Sequence, residues 1–281
     1  MAGNDIEVRP YSSAIGAEIF GIDLTEPLDD ESWSVIQDAF HTHCVIFFRD
    51  QPLTAQQQLA FAKHFGALVE YPFLNGIEGF PQLIEIVKTP QEIRNFGSGW
   101  HADMSFSQTA PLGAVVQALE MPPVGGDTMF CNMYLAYESL SEGMQELVAR
   151  TNGIHDSHEP TNHANSYQGM AKSGKQATER QITVQPLVKA HPVTGRKSLF
   201  ISPDYCDQLE DMTHEESKPV LDYLEQHATQ HAFTCRFRWQ PHSIVVWDNR
   251  CVMHNALEDD LGARMTGEGF KRVIRRATIG S

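Results

Sequence analysis

Apolar and polar positions follow two different periods along the first 80 residues. The segments AEIFGIDL and CVIFFRD are short apolar runs rich in β-branched and aromatic residues, which is typical of strands. Between them, DDESWSVIQDAFHTH repeats its apolar positions every three or four residues and predicts a helix. TAQQQLAFAKHFG predicts a second helix, because Thr54 and Gln57 fit a capping box and Gly66 lies where a C-terminal cap would be.

From about residue 82 the pattern changes to short apolar runs separated by turn residues. Two longer segments, MYLAYESLSEGMQELVART and THEESKPVLDYLEQHAT, are predicted helical insertions. Short strands at irregular spacing favour a two-sheet barrel over a doubly wound parallel sheet. We therefore predict a mainly β fold with helical insertions and a double-stranded β-helix (jelly-roll) core at about 82–281. The strand-like runs are QLIEIV, GAVVQAL, DTMFCNM, QITVQPLV, SLFIS, HAFTCRFRW, SIVVWDN and RVIRRATI.

No internal repeat, low-complexity segment or long Gly/Ser linker divides the chain, so a single domain over 1–281 is the simplest prediction. A helix and strand part at about 1–80 would precede the jelly-roll core. The segment at about 153–181 is rich in His, Asn, Ser, Gly and Lys and is too long for a simple turn. We interpret it as a lid loop, with a disordered loop as the alternative.

The composition of the chain mainly excludes classes of binding partner. The net charge of -15 argues against binding nucleic acid or anionic lipid through general electrostatics. No apolar run approaches the roughly 18 residues of a membrane span, and the first residues lack the pattern of a secretion signal. The five cysteines include no Cys-x-x-Cys pair, which is typical of free thiols in a reducing compartment. We therefore expect a cytoplasmic protein that binds neither nucleic acid nor membranes.

The candidate chemistry begins in GSGWHADMSF, residues 97–106. Alternate residues of a strand point to the same face, so His101 and Asp103 would present an imidazole nitrogen and a carboxylate oxygen to one point. His254, at the end of SIVVWDNRCVMHNAL, would add a second imidazole from a neighbouring strand. Two histidines and one carboxylate form the facial triad that holds non-haem Fe(II) and leaves positions open. The same ligands also suit Zn²⁺.

Two arginines of KRVIRRATI are predicted to enter the same region. In a strand Arg272 and Arg276 share one face, whereas Arg275 points to the other. A buried guanidinium requires an anionic partner, and its planar fork suits a carboxylate. Two inward arginines therefore predict two anionic groups.

Several motifs, taken in their order along the chain, resemble those of the Fe(II)/2-oxoglutarate dioxygenases of the taurine dioxygenase and 2,4-dichlorophenoxyacetate dioxygenase family. Within that family, EPLDD, AFHT and EESKP look most like the phenoxypropionate dioxygenases. The resemblance implies Fe(II), 2-oxoglutarate and O₂, and a dimer or tetramer. It also implies hydroxylation, with possible cleavage, of a small anionic substrate such as an aryloxyalkanoate, alkyl sulfate or sulfonate, giving succinate and CO₂. The motifs that carry it are GAEIFGIDL, FAKHFG, WHADMSF, PPVGGDT, HPVTGRKSLFI, WDNRCVMH and RRAT.

Carried over position by position, the resemblance implies His101, Asp103 and His254 as the iron ligands. It makes Thr128 and Arg272 the partners of the 2-oxoglutarate carboxylate that is remote from the metal. It implies no catalytic group beyond the metal site.

The cosubstrate arginine departs from the family pattern in its spacing. Arg272 lies further beyond His254 than is usual, and MTGEGF looks like an insertion, so Arg264 is a rival. We favour Arg272 because RVIRRAT matches the family's strand, whereas Arg264 lies in a predicted loop.

The residues predicted to meet the prime substrate also differ from those of taurine dioxygenase. The resemblance makes Arg276 the contact for the anionic group of the substrate. Tyr71 and Gly97 stand where taurine dioxygenase has a His and an Asn, so the pocket presents fewer polar groups and disfavours taurine. A more apolar or aromatic organic acid fits better, with Phe73 lining the pocket. The sequence leaves open the substrate's handedness and whether its anion is a carboxylate, sulfonate or sulfate.

Two other classes of protein fit these residues. A jelly-roll binding protein could hold an organic acid with the same arginines, and a zinc hydrolase could use the same ligands. The stretch GIHDSHEPTNH could form a second metal site, but without a strand or helix pattern we favour a solvated lid segment. Trp247, which precedes the second histidine, is interpreted as a packing wall.

Overall fold

The structure is a computed structural model that describes residues 6–157, 174–175, 179–267 and 269–281. Its architecture is mainly β with helical insertions, as predicted. None of the helices in these ranges is long and apolar enough to cross a membrane. The helices are α1 (Asp30–His43), α2 (Ala55–Lys63), α3 (Met133–Glu138), α4 (Glu142–Val148), α5 (His214–Ala228) and α6 (Leu261–Thr266). The strands are β1 (Glu7–Pro10), β2 (Ala17–Phe20), β3 (Val45–Phe48), β4 (Leu68–Val69), β5 (Leu83–Lys88), β6 (Gly113–Glu120), β7 (Thr128–Asn132), β8 (Asn152–Asp156), β9 (Ile182–Pro186), β10 (Val188–Ala190), β11 (Lys197–Leu199), β12 (Gln208–Leu209), β13 (Thr234–Phe237), β14 (Ile244–Asp248), β15 (Val252–Ala256) and β16 (Arg272–Ile279).

The major sheet has the strand order β1-β2-β3-β14-β6-β16-β4, with β5 also paired to β16. A smaller sheet has the order β13-β7-β15. Aromatic side chains from the two sheets meet between them: Phe47 of β3 stacks on Phe237 of β13, with ring centroids 4.3 Å apart. Phe130 of β7 packs against the same Phe47 ring at 5.8 Å. The two sheets thus enclose a shared apolar core, which is the jelly-roll arrangement that the sequence predicts.

Helices α1 and α2 cover the other face of the major sheet. Helix α1 begins after Asp29, whose carboxylate accepts a hydrogen bond from the Ser32 backbone at 2.8 Å. The capping box of Thr54 and Gln57 at the start of α2 is present as predicted. The predicted cap at Gly66 is wrong, because the helix ends earlier, at His64, in ordinary helical geometry.

The predicted boundary near residue 80 does not separate two layers of the structure. Strand β3, from the N-terminal part, pairs with β14 inside the major sheet. The stretch from 133 to 151 forms two helices, since the first ends at its C-cap Ser139 and Ser141 caps the start of the second. A further helix, α6, covers 261–266, where a loop was predicted. The spacing of apolar residues does not indicate the break between α3 and α4, which depends on side-chain hydrogen bonds to the backbone.

The predicted lid at 153–181 begins too early. Residues Asn152–Asp156 form β8, which pairs antiparallel with β9. Most of the remaining segment, 158–173 and 176–178, lies outside the described residues. The lid therefore stays a prediction for that part of the chain.

Candidate metal centre and the cavities beside it

The backbones of His101 and His254 form a short bridge between distant parts of the chain. The His101 amide donates to the His254 carbonyl at 3.1 Å, and the His254 amide donates to the His101 carbonyl at 2.9 Å. His254 belongs to β15, but the predicted strand through His101 and Asp103 is wrong: the bridge is isolated and Asp103 begins a turn. Met104, with φ of 48°, continues that turn. The turn, and not strand alternation, brings the carboxylate next to the imidazoles.

Three side chains converge at this point, and they are the three that the sequence predicts. The Nε2 atoms of His101 and His254 lie 3.7 and 3.6 Å from Oδ1 of Asp103. The three residues are 4–6% exposed, and their ligand atoms all lie within 4.8 Å of one another. These separations are too long for hydrogen bonds but fit three donors around one ion. The donor set therefore fits Fe(II), which two imidazoles and one carboxylate can hold with positions left open.

Trp247 and Asn249 fix the orientation of the Asp103 carboxylate. The Trp247 indole N–H donates to Oδ2 of Asp103 at 3.0 Å and to Oδ1 of Asn249 at 3.0 Å. The same Asn249 oxygen accepts the backbone N–H of Asp103 at 3.3 Å. Oδ1 of Asp103 is thereby left facing the two imidazoles. The interpretation of Trp247 as only a packing wall was incomplete, and the sequence reasoning missed Asn249.

The electrostatics favour the protonation states that bind metals. Burial raises the pKa of Asp103, but the charge of Arg276 and then the two histidines outweigh it and hold the pKa below its usual range. Nη1 of Arg276 also donates to Oδ1 of Asp103 at 2.8 Å. Burial lowers the pKa of His254 to about 3, against the attraction of the carboxylate. A carboxylate and a neutral imidazole are the forms that act as ligands.

One cavity, here called the arginine cavity, lies against His254 and is lined by Thr128, Trp239 and Arg272. Arg272 is 3% exposed, and its Nε has no hydrogen-bond partner among the described residues. Burial lowers the pKa of Arg272 to about 10, a fall limited by Asp259 and by a second carboxylate. The guanidinium therefore stays charged at neutral pH. The predicted rival Arg264 lies in α6, and its side chain is outside the described part of the structure.

The glycines of GGDT make room for the buried guanidinium. Gly126 has φ of +72°, and a Cβ there would lie 3.2 Å from Cδ of Arg272. Thr128, two residues on, accepts a hydrogen bond from the Trp239 indole at 2.9 Å, which holds its hydroxyl at the cavity wall. The PPVGGDT motif thus shapes the arginine cavity from its backbone as well as from its threonine.

The predicted division of the arginines between two faces of β16 is confirmed. Arg272 and Arg276 both line the arginine cavity. Arg275 points away and donates to Gln58, Gln117 and the Leu53 carbonyl at 2.6 to 2.8 Å. Arg276 keeps two buried donors, Nε and Nη2, with no partner in the described ranges. The two inward arginines therefore differ: Arg276 meets Asp103, whereas Arg272 forms no ion pair with an acidic side chain among the described residues.

A second cavity, here called the aromatic cavity, lies on the side of Asp103. Gly97 borders both cavities, and a Cβ on it would lie 3.3 Å from Cε1 of His101. Tyr71 lies edge-on to Phe73, with ring centroids 5.9 Å apart, and Arg276 lies 5.5 Å above its ring. The two cavities measure about 40 and 30 Å³, so binding an organic acid requires side chains to move apart. The aromatic walls are Tyr71, Phe73, Phe96, Phe106 and Tyr205.

The histidine-rich stretch GIHDSHEPTNH does not behave as a solvated segment where it is described. His155 is fully buried on β8, and its Nδ1 is 2.9 Å from the Ser105 hydroxyl. Asp156 accepts a hydrogen bond from Nε of Arg180 at 2.9 Å. His158 and His163 lie outside the described residues. Among the described residues, the His101, Asp103 and His254 group alone has metal-binding spacing.

A jelly roll that holds two histidines and a carboxylate beside a buried arginine without an anion is typical of non-haem iron oxygenases that use an organic-acid cosubstrate. The chain belongs to the taurine catabolism dioxygenase TauD, TfdA family, whose model matches residues 7–278. It is therefore an Fe(II)- and 2-oxoglutarate-dependent dioxygenase, as the resemblance implied. The alternatives of a binding protein and a zinc hydrolase are set aside.

Known relatives and solved structures are similar to this chain over nearly its whole length. The chain is 32% identical over 261 residues to the (S)-phenoxypropionate/alpha-ketoglutarate-dioxygenase of Sphingobium herbicidovorans, covering 91% of this chain and 90% of that one. It is 29% identical to an alpha-ketoglutarate-dependent sulfate ester dioxygenase of Pseudomonas putida, covering 98% and 89%. A crystal structure of a taurine dioxygenase from Burkholderia xenovorans matches with a TM-score of 0.82 and 32% identity, covering 98% and 89%.

Proposed function

We propose that His101, Asp103 and His254 hold the Fe(II), and that Arg272 and Thr128 bind the remote carboxylate of 2-oxoglutarate. The observation that supports this most is Arg272, a buried cation that meets no acidic side chain in the described ranges, beside the three converging ligands. An uncompensated buried guanidinium is costly, and a carboxylate is the partner that its planar fork fits best. Fe(II) would supply the redox chemistry that couples loss of CO₂ from 2-oxoglutarate to oxygen insertion into the substrate.

The residues of this chain would orient and shield that reaction. Trp247 holds Oδ2 of Asp103, which keeps Oδ1 directed at the two imidazoles. Arg272 and Thr128 would fix the far end of the cosubstrate, so that its reactive end points to the metal. Burial of all three ligands excludes water, which protects a reactive centre from side reactions.

The proposed prime substrate is a small organic acid with an apolar or aromatic body, and an aryloxyalkanoate fits best. The aromatic cavity supports this, because Tyr71 and Phe73 present ring faces where taurine would need polar groups. Arg276 supports an anionic end, since Nε and Nη2 are buried donors that no described residue occupies. The phenoxypropionate and sulfate ester relatives, which act on substrates of this kind, favour a carboxylate or sulfate as that anion.

The test is succinate formation by the Fe(II)-loaded protein in air with 2-oxoglutarate. The panel contains both enantiomers of an aryloxypropionate, an alkyl sulfate, an alkylsulfonate and taurine. We expect the aryloxypropionate to stimulate succinate formation most and taurine least. Stimulation by taurine alone would contradict the substrate assignment while leaving the dioxygenase intact.

We also propose a cytoplasmic homo-oligomer, a dimer or tetramer. The five cysteines support a reducing compartment, because all five are buried and none forms a disulfide. Size-exclusion chromatography with light scattering tests the oligomer, and a mass equal to one chain of 31.5 kDa would contradict it.

A further inference from the structure

Two acidic side chains lie close to Arg272 without pairing with it. Burial lowers the pKa of Arg272, and the negative charges of Asp259 and Asp127 limit that fall. Neither carboxylate forms an ion pair with Arg272 in the described ranges. Nε of Arg272 and Oδ1 of Asp127 are both buried, and each lacks a hydrogen-bond partner among the described residues. A charged donor and a charged acceptor thus lie in the same region without meeting, which is costly for both.

Arg236, on β13, binds both carboxylates instead. Its Nε donates to Oδ2 of Asp127 at 2.7 Å, and its Nη2 donates to Oδ2 of Asp259 at 2.7 Å. The hydrogen bond to Asp127 and the charges of the two acids raise the pKa of Arg236, so this network is ionised at neutral pH. The Arg236 side chain is half exposed, and it therefore holds the two acids from the solvent side.

The two acids differ in how firmly they are held. Oδ1 of Asp259 accepts a hydrogen bond from the Gly126 amide at 2.6 Å, so both of its oxygens have donors. A Cβ on Gly125 would lie 3.1 Å from the same Oδ1, so the glycine pair of GGDT admits this carboxylate. Asp127 is held through Oδ2, and its Oδ1 has no partner in the part of the chain that the structure describes. Asp127 is therefore the acid that would turn to Arg272 if Arg236 were removed.

Two further acids at this end of β16 are paired with lysines. Lys88 lies opposite Arg272 on β5, and its ammonium is 3.0 Å from Oδ2 of Asp260. Lys271 pairs with Glu120 at 2.7 Å. The acids that surround the start of β16 are thus bound to other cations, and Arg272 forms no ion pair with any described residue.

We propose that Arg236 is a positioning residue for the cosubstrate: it holds Asp127 and Asp259 and thereby keeps Arg272 available for a carboxylate. The proposal rests on the assignment of Arg272 as the partner of 2-oxoglutarate. The four side chains carry two positive and two negative charges, so an entering carboxylate meets Arg272 without repulsion from an unpaired acid. Without Arg236, Asp127 would pair with Arg272, and the cosubstrate would have to displace a buried ion pair.

A cycle of substitutions in the metal-free full chain tests this charge arrangement without any cosubstrate. In the wild type, Arg272→Met should raise the melting temperature, because it removes a buried charge that forms no ion pair. In the Arg236→Gln background the same substitution should lower the melting temperature, because it would remove the new partner of Asp127. Differential scanning calorimetry measures both shifts. Equal shifts in the two backgrounds would overturn the proposal.

Calorimetric titration of the Mn²⁺-loaded protein with 2-oxoglutarate tests the consequence for binding. We expect Arg236→Gln to weaken the affinity by about tenfold or more, since Arg272 would already be paired. Adding Asp127→Asn to that variant should restore most of the affinity, which a merely structural role of Arg236 does not predict. Arg236→Lys keeps the charge and should bind nearly as well as the wild type. The control Arg196→Gln removes a comparably exposed arginine from its ion pair with Glu138 and should leave the affinity unchanged.

Turnover separates the outcomes further. Arg236→Gln should raise the KM for 2-oxoglutarate and leave kcat at saturating cosubstrate near the wild-type value, whereas a lower kcat at unchanged KM would contradict the proposal. Weaker binding of 2-oxoglutarate in Arg272→Met but not in Arg236→Gln would overturn the role of Arg236 alone. Unchanged binding in Arg272→Met would instead contradict the cosubstrate site itself, and the role of Arg236 with it.

Discussion

Replacing Arg272 with methionine should change stability and cosubstrate binding in opposite directions. Burial lowers the pKa of Arg272 from 12.5 to about 10, which corresponds to roughly 3 kcal/mol of cost for the charged form. No ion pair or side-chain hydrogen bond with the described residues offsets that cost. Methionine has a similar length and no charge, so we expect Arg272→Met to stabilise the metal-free protein by about 1–3 kcal/mol. At about 2–4 °C per kcal/mol, the melting temperature should rise by several degrees.

The same substitution removes the proposed partner of the 2-oxoglutarate carboxylate. A hydrogen bond to a charged group contributes about 1.5–3 kcal/mol, and a bidentate pair contains two. We therefore expect the KM for 2-oxoglutarate to rise by about 10²-fold or more. Differential scanning calorimetry measures the first effect, and succinate formation against 2-oxoglutarate concentration measures the second.

Arg275 provides the matched control on the same strand. It donates to Gln58, Gln117 and the Leu53 carbonyl. Arg275→Met therefore leaves the amide oxygens of Gln58 and Gln117 without a donor, while the Leu53 carbonyl keeps its hydrogen bond from the Gln117 amide. At about 1–3 kcal/mol for each lost partner, we expect a clear loss of stability. The reasoning is refuted if Arg272→Met destabilises the protein as much as Arg275→Met, or if its KM for 2-oxoglutarate is unchanged.

Three further predictions concern the ligands and the aromatic cavity. Trp247→Phe removes the indole donor to the Asp103 carboxylate and should weaken Mn²⁺ affinity by about 10–100-fold in an isothermal titration. The control Trp33→Phe, in helix α1 away from the metal centre, should leave the affinity unchanged. Gly97→Ala places a Cβ 3.3 Å from the first imidazole at a φ of +79° and should lower metal affinity and melting temperature together; an unchanged metal titration would contradict this. Tyr71→His introduces an imidazole at the position where the resemblance implies that taurine dioxygenase has one, so the ratio of taurine to aryloxypropionate turnover should rise. A constant ratio would show that position 71 does not select the substrate.

The local sequence determined those structural elements whose sequence signals span only a few residues. The capping box at Thr54 was predictable because its two hydrogen bonds join residues three apart. The opposite faces of Arg272 and Arg275 were predictable because β16 is extended over its whole length, Arg272–Ile279. The order of the motifs identified the family, whose model matches residues 7–278.

The tertiary structure decided how distant residues meet. The sequence could nominate Asp103, but the carboxylate reaches the imidazoles through a turn held by Asn249, whose partner is 146 positions away. Trp247 is an apolar strand residue by its pattern, and only sheet pairing places its indole N–H against Asp103.

The arginines of β16 show the same limit. Local alternation places Arg272 and Arg276 on one face, but only the packed structure shows that Arg276 meets Asp103 and that Nε of Arg272 has no partner among the described residues. The sequence by itself therefore determined the class of chemistry, through residue types at local spacings. Only the fold decided which charges are paired and which remain available for a ligand, because pairing depends on distances that local periodicity does not encode.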